Sequence, residues 1–361
     1  MLPAFRAGGG TLILLVFAAG IFLANGDATF NLWINKYYYL LKTSWGKPSQ
    51  DLYMALDLGS QDFWLYGGMC YVISKTCSLG TNNYYRKVNS TTYSARSGTY
   101  TLNYNTIYQW NGSVSMGTGN DMFTVGSYSL GTLDFGVVDH ADWSMYKKVN
   151  MSGILGLGLQ SMTGITGYLS TFLGLGSSSG NKNITLYTDR NSSAGVLTIG
   201  KPDSTHCSSS WTFVPTISSS SSRKYWEISL SSFRFGSYSS SSLSGHTAVF
   251  STMISYMIVP QAVFTQIRSR VRQVVFDYSY AHNLVDCDDR WRFPDMSFTI
   301  NGQVFNVTSY EYIWKTPTNF CILKIVPNGG GNRWVFGYPF HQGHCEHYNF
   351  NSNVIGLTKR L

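Results

Sequence analysis

The segment Met54-Ala55-Leu56-Asp57-Leu58-Gly59-Ser60 decides how this chain is read. Apolar residues run into a carboxylate, and Gly59-Ser60 then turns the chain. Such a run beside a turn signal predicts a strand, with Asp57 at its end. Far downstream comes Ile154-Leu155-Gly156. The second half repeats the pattern faintly: Ala248-Val249-Phe250 runs into Ser251-Thr252, and Val335-Phe336-Gly337 follows later. Both halves therefore read strand, special turn, long meander, then two apolar residues and Gly. A repeat of this length predicts duplicated lobes rather than a solenoid.

The composition agrees with a packed, strand-rich chain. Of 361 residues, 12% are charged and 43% hydrophobic, against about 25% charged in an ordinary domain. A disordered chain needs the opposite balance. The excess of Tyr, Ser, Thr and Gly favours strands and turns. Predicted strands include Leu52–Leu56, Gly195–Ile199, Trp226–Leu230 and Met296–Ile300, and an N-terminal strand over Ile34–Gly46. The best helical pattern runs from Pro260 to Val274, with Val263, Ile267 and Val271 on one face. Ser218–Ser222 and Ser239–Ser242 read as exposed loops. Lys plus Arg is 26 and Asp plus Glu 18, giving +8. Those cations are scattered, Lys147-Lys148 and Arg268, Arg270, Arg272 being the nearest to clusters, so a nucleic-acid partner is not expected.

Residues 1–26 read as a secretory signal, with Arg6 before an apolar Thr11–Ala24 core and small residues at Ala24-Asn25-Gly26. That core is short for a span of about 20 residues, so no membrane span is expected after cleavage; a retained signal anchor is the alternative. Six sequons, at Asn89, Asn111, Asn150, Asn183, Asn191 and Asn306, predict a glycosylated surface. The six cysteines, Cys70, Cys77, Cys207, Cys287, Cys321 and Cys345, favour disulfides in an exported chain. Cys70 and Cys77 would close a small local loop; sequence alone leaves the other pairings open. His341, His344, Cys345 and His347 have a spacing that invites a zinc reading, but they fall on closing strands, and neither metal nor cofactor is expected. Gly174-x-Gly176 and Gly329–Gly331 lack the strand-before, helix-after setting of a nucleotide loop.

With these motifs in place, the mature chain resembles the pepsin-like (peptidase A1) aspartic protease family over nearly its whole length. Asp57-Leu58-Gly59-Ser60 with Trp64 resembles the first active-site loop, Tyr104 stands at the flap tyrosine, and Gly153–Gly158 matches the segment backing that loop. Phe293–Gly302 and Trp334–Phe340 resemble later family strands. Nematode members are the nearest likeness, because Cys207 and Cys345 occur where those proteins carry an extra pair. The resemblance implies an all-β fold of two barrel-like lobes around a cleft, with few short helices. It places the N-terminal lobe at 27–190 and the C-terminal lobe at 191–361. It also implies the pairs Cys70–Cys77, Cys287–Cys321 and Cys207–Cys345. In the family two aspartates, about 3 Å apart, share one proton and perform general acid–base peptide hydrolysis.

The second motif departs from that pattern. In the register fixed by Ala248–Phe250 and Pro260, Ser251 takes the second Asp position. A serine hydroxyl hydrogen-bonds but holds no shared proton in a useful range. Met253 replaces a Gly, adding bulk against the substrate path. By the resemblance, Ile254 replaces the Thr that supports the second carboxylate, and Leu58 replaces one of two threonines that grip across the loops; Thr252, the other, and Ser60 retain the family's hydroxyls. After Tyr104 comes Asn105-Thr106-Ile107 instead of a Gly-rich flap tip. Only about 30 residues separate the expected start at Asp27 from Asp57, too few for a prosegment of the family's usual length.

The sequence therefore predicts a secreted, glycosylated, monomeric and non-catalytic homologue whose interlobe cleft binds peptide or protein. Asp57 is read as a buried structural residue in preference to a residual acid. Tyr104 is read equally as a lid over ligand or as packing. The competing expectation is an active aspartic endopeptidase in an acidic gut or lysosomal lumen, its second carboxylate coming from Asp286, Asp288 or Asp289. A third reading is a structural glycoprotein whose cleft is filled by Met253 and flap aromatics.

Overall fold

The computed structural model describes residues 27–35, 38–70, 84–104, 112–141, 151–176, 180–190, 192–217, 225–271, 275–277, 282–316 and 320–361. The expected signal segment, Tyr37, Cys77, Lys147-Lys148, Ser218–Ser222, Arg272 and three sequon asparagines (Asn111, Asn150, Asn191) lie outside these residues, as does the segment after Tyr104. Strands dominate and the helices are short. The fold is the expected pepsin-like, bilobal all-β architecture.

The faint repeat in the sequence becomes two copies of one strand arrangement. In the first, Gln50–Asp57 pairs in parallel with Gly153–Gly156, with Asp57 opposite Gly156. Gly153–Gly156 pairs antiparallel with Phe63–Tyr66, which runs parallel to Tyr128–Ala141. In the second, Thr247–Phe250 pairs in parallel with Arg333–Phe336. Arg333–Phe336 pairs antiparallel with Met257–Val259, which runs parallel to Ile325–Pro327. Continued one step beyond the Phe250–Phe336 pair, this register puts Ser251 opposite Gly337, as Asp57 stands opposite Gly156, and the Ser251 N–H bonds the Phe336 carbonyl. Parallel strands bury both faces, which explains the nearly unbroken apolar character of these segments.

The two glycines are required by close approach. A Cβ on Gly156 would lie 2.5 Å from the Ser60 carbonyl oxygen, and one on Gly337 would lie 2.2 Å from that of Tyr256. Each glycine lets the loop after the neighbouring strand fold back over it. Strands from both ends of the chain share one sheet: Thr212–Pro215, Val354–Lys359, His344–Asn349, Asn183–Thr188, Ala194–Ile199 and Ala28–Asn35 are consecutive neighbours. That sheet ties the C-terminus to the segment before the first loop.

Several local expectations need correction. Ile34–Gly46 is not one strand: Ala28–Asn35 and Tyr38–Trp45 are separate strands that pair with each other. The helix spans Gln261–Arg270 and stops before Val271, which is already extended. Val271 is nevertheless buried, so its apolar periodicity reported packing and not helix length. Ser239 and Ser240 belong to a hairpin strand, Tyr238–Ser240, where backbone pairing with Phe233–Arg234 outweighs polar composition. Gly174–Gly176 forms a short 3-10 turn, and Gly329–Gly331 all have positive φ, as turn glycines do.

Cys207–Cys345 and Cys287–Cys321 are bonded as the resemblance implies. Cys70 is disulfide-bonded as well, while its expected partner lies outside the described residues. Asn89 and Asn306 are exposed, but Asn183 is only 9% exposed. It opens the strand Asn183–Thr188, where it stands opposite Asn349.

Candidate functional site

The first loop is held by its own polar atoms. Asp57 is fully buried, and its Oδ1 accepts the Gly59 N–H at 2.7 Å while Oδ2 accepts the Ser60 hydroxyl at 2.8 Å. A short polar turn after an apolar strand folds this way because the carboxylate satisfies donors that the turn would otherwise strand in the interior. The Asp57 backbone carbonyl accepts the Leu157 N–H at 2.6 Å. Asp62, a residue the sequence reading passed over, is also fully buried. Its Oδ1 accepts from the Ser161 and Thr163 hydroxyls and from the Met162 and Thr163 amides. Burial still raises its pKa, with those bonds opposing the rise.

At the second loop Ser251 is fully buried. Its N–H donates to the Phe336 carbonyl at 3.0 Å, and its hydroxyl oxygen meets, among the described residues, a long 3.4 Å contact from the Met253 N–H. The Ser251 carbonyl oxygen lies 3.0 Å from His341 Nε2. Thr252 links the two loops: its hydroxyl donates to the Leu56 carbonyl at 2.6 Å and accepts the Leu58 N–H at 3.2 Å. Leu58 is buried but offers no reciprocal hydroxyl. A second cross-link went unread in the sequence. Trp226 donates its indole N–H to the Leu157 carbonyl at 2.8 Å, and its own carbonyl accepts the Phe250 N–H at 2.9 Å. A chain of hydrogen bonds thus runs from Asp57 through Leu157 and Trp226 to the residue before Ser251.

Tyr104 is fully buried, and its hydroxyl accepts the Trp64 indole N–H at 2.7 Å. Burial first, then the nearby Asp62 carboxylate, pushes its phenol well above the ordinary range, so it remains a neutral phenol. Met253, 1% exposed, and Ile254 belong to the same buried apolar cluster as Tyr104, Trp64 and Leu102. The centre between the loops is therefore packed.

The carboxylates proposed to substitute for a second aspartate lie at the surface, whereas Asp57 and Ser251 are fully buried. Asp286 and Asp288 are exposed, and Asp289 pairs with Arg292 at 3.0 Å. The histidines with zinc-like spacing are otherwise engaged: His341 with Glu346, His344 with the Phe340 carbonyl and His347 with Thr185. Among the described residues no cluster of three His, Cys, Asp or Glu could hold a metal ion.

This geometry is accompanied by clear sequence kinship. The family model for eukaryotic aspartyl proteases matches residues 38–360. Aspartic protease 1 of Caenorhabditis elegans is 27% identical over 343 residues, covering 89% of this chain and 82% of that protein. Gastricsin of Rattus norvegicus is 25% identical over 330 residues (89% and 80%), and pepsin A of Bos taurus 26% over 319 residues (87% and 82%). The chain belongs to the eukaryotic aspartyl protease family. Among its described residues no helix is long and apolar enough to cross a membrane.

Proposed function

We propose that this chain is a secreted, glycosylated, non-catalytic homologue of the aspartic peptidases whose cleft serves as a binding surface for an extended polypeptide. One observation carries the reading: opposite Gly337, where the strand repeat puts the counterpart of Asp57, stands Ser251, buried and without an ionisable group. Hydrolysis needs one group to take the proton of the attacking water and another to protonate the carbonyl or amine, and each such role contributes roughly 10²–10⁴ in rate. Asp57 satisfies its turn and has no titrating counterpart at position 251. Incubation with an unfolded protein from pH 2 to 6 tests this: no cleavage is expected, and pepstatin-sensitive cleavage overturns it.

The packed centre favours a second reading, a structural glycoprotein with a filled cleft, because Met253 and Tyr104 share one buried cluster. Panning a displayed random-peptide library on the immobilised protein separates the two. Enrichment of extended sequences that bind wild type and lose affinity with Tyr104→Ala supports the binding role. Absence of any enrichment supports the structural one.

A further inference from the structure

His341 and Glu346 lie five residues apart in the closing segment, and both side chains are fully buried directly behind the second loop. Nδ1 of His341 meets both Glu346 carboxyl oxygens, at 2.8 and 2.7 Å. The Tyr348 hydroxyl donates to Glu346 Oε2 at 2.6 Å, and Nε2 of His341 faces the Ser251 carbonyl at 3.0 Å. The carbonyl oxygen can only accept, so Nε2 carries a proton and donates it. The second proton lies between Nδ1 and the carboxyl group. Superficially this is a serine–histidine–glutamate set. However, Nε2 is committed as a donor to the backbone of Ser251 and is not available to take a proton from its hydroxyl, so the set lacks the general base a serine nucleophile requires.

We infer that His341 and Glu346 are positioning residues for the second loop, fastening the Ser251 carbonyl from the core side. The surroundings suit that task. Tyr39 stands edge-on to the His341 ring at 5.9 Å and accepts the Thr188 hydroxyl at 3.1 Å, while Phe250, just before the loop, is 6.5 Å from the same ring. Among the described residues Tyr338, reached through Tyr39, His344, reached through Glu346, and Arg360 beside His344 are further titratable or charged groups on the neighbouring elements. The pair therefore joins the second loop to Tyr38–Trp45, Asn183–Thr188 and His344–Asn349. On the core side the loop is fastened by this buried acid and base, while Thr252 fastens it to the first loop. This stands whether the cleft binds polypeptide or cuts it.

The test uses the full glycoprotein and the variants His341→Leu, Glu346→Leu and the double variant. Each single change strands a buried partner and should lower the Tm by about 5–10 °C. The double change removes both and should recover most of that loss, since apolar replacement of a buried pair is often neutral. If the pair positions the loop, the double variant still exchanges its Ser251, Thr252, Met253 and Leu58 amides at least about tenfold faster than wild type, with Gly59 and Leu157 unchanged. Wild-type protection at those four amides in the double variant overturns the inference. Should the double variant fail to fold, nitrogen-15 NMR of the wild-type His341 ring at neutral pH decides: a protonated Nε2 supports it and an unprotonated Nε2 overturns it. Labelling of Ser251 by a fluorophosphonate probe would also overturn it, by making Ser251 a nucleophile.

Discussion

The loop at Asp57 and the loop at Ser251 occupy matching places in two copies of one strand arrangement, yet they are secured in opposite ways. The first is held from within, by a carboxylate that binds its own turn through Gly59 and Ser60. The second has no acid of its own and is held from outside, through Thr252 to the first loop and through His341 to the core. The difference shows that a loop can carry a hydroxyl in place of a carboxylate and keep its place when its fastening lies in the backbone and in neighbouring strands.

The largest effect that would break the comparison is expected at Trp226, which connects the two units through Leu157 and Phe250. Trp226→Ala removes a fully buried indole and should cost about 3–5 kcal/mol in urea unfolding. Acid should come next, and it should act on the second unit. Burial lowers His344 and His347 to about 4, both on the strand behind the second loop. A depressed histidine means that the folded state rejects a proton the unfolded chain accepts. Stability is therefore full above about 6.5 and falls as pH drops toward 4, by a few kcal/mol for the two together. Asp62, raised by burial, works the other way and offsets part of this loss. Thermal unfolding from pH 7 to 4 should show a falling midpoint, and His344→Phe, which keeps the stacking on Phe340 at 4.4 Å, should flatten it.

Thr252→Val keeps the shape of the side chain but strands the Leu58 N–H and the Leu56 carbonyl. It should cost about 2–3 kcal/mol by chemical denaturation. Ser60→Ala removes one neutral donor from Asp57 and should cost about 1–2 kcal/mol, confirming that the first loop tolerates more. The smallest effect is expected in turnover. Ser251→Asp restores the missing carboxyl but neither the glycine replaced by Met253 nor the hydroxyl replaced by Leu58. Peptide hydrolysis by that single variant should stay at background, and measurable turnover would show that position 251 alone separates this chain from its catalytic relatives.

Much of this was legible in the sequence. Asp57-Leu58-Gly59-Ser60 and the register from Ala248 to Pro260 located both loops, and two of the disulfides followed from the resemblance. The strand Met296–Ile300 was read to the residue because alternation and flanking turns agree there. The long-range polar links were not legible. Nothing in the sequence says that the Trp226 indole meets the Leu157 carbonyl 69 residues away. His341 attracted notice only as a zinc ligand, and Glu346 attracted none. The available signal was a lone acid, Glu346, set among His341, His344 and His347 in the closing segment, since buried charge is seldom left unpaired. The low exposure of Asn183 was not legible for a related reason: a three-residue motif carries no information on burial.

The most direct measurement compares wild type with Asp57→Asn on an unfolded protein substrate across pH 2 to 6, both purified from the same secretory host and checked for folding. The account predicts that the two traces coincide at the background of the buffer. Cleavage by the wild type that disappears in Asp57→Asn would contradict it.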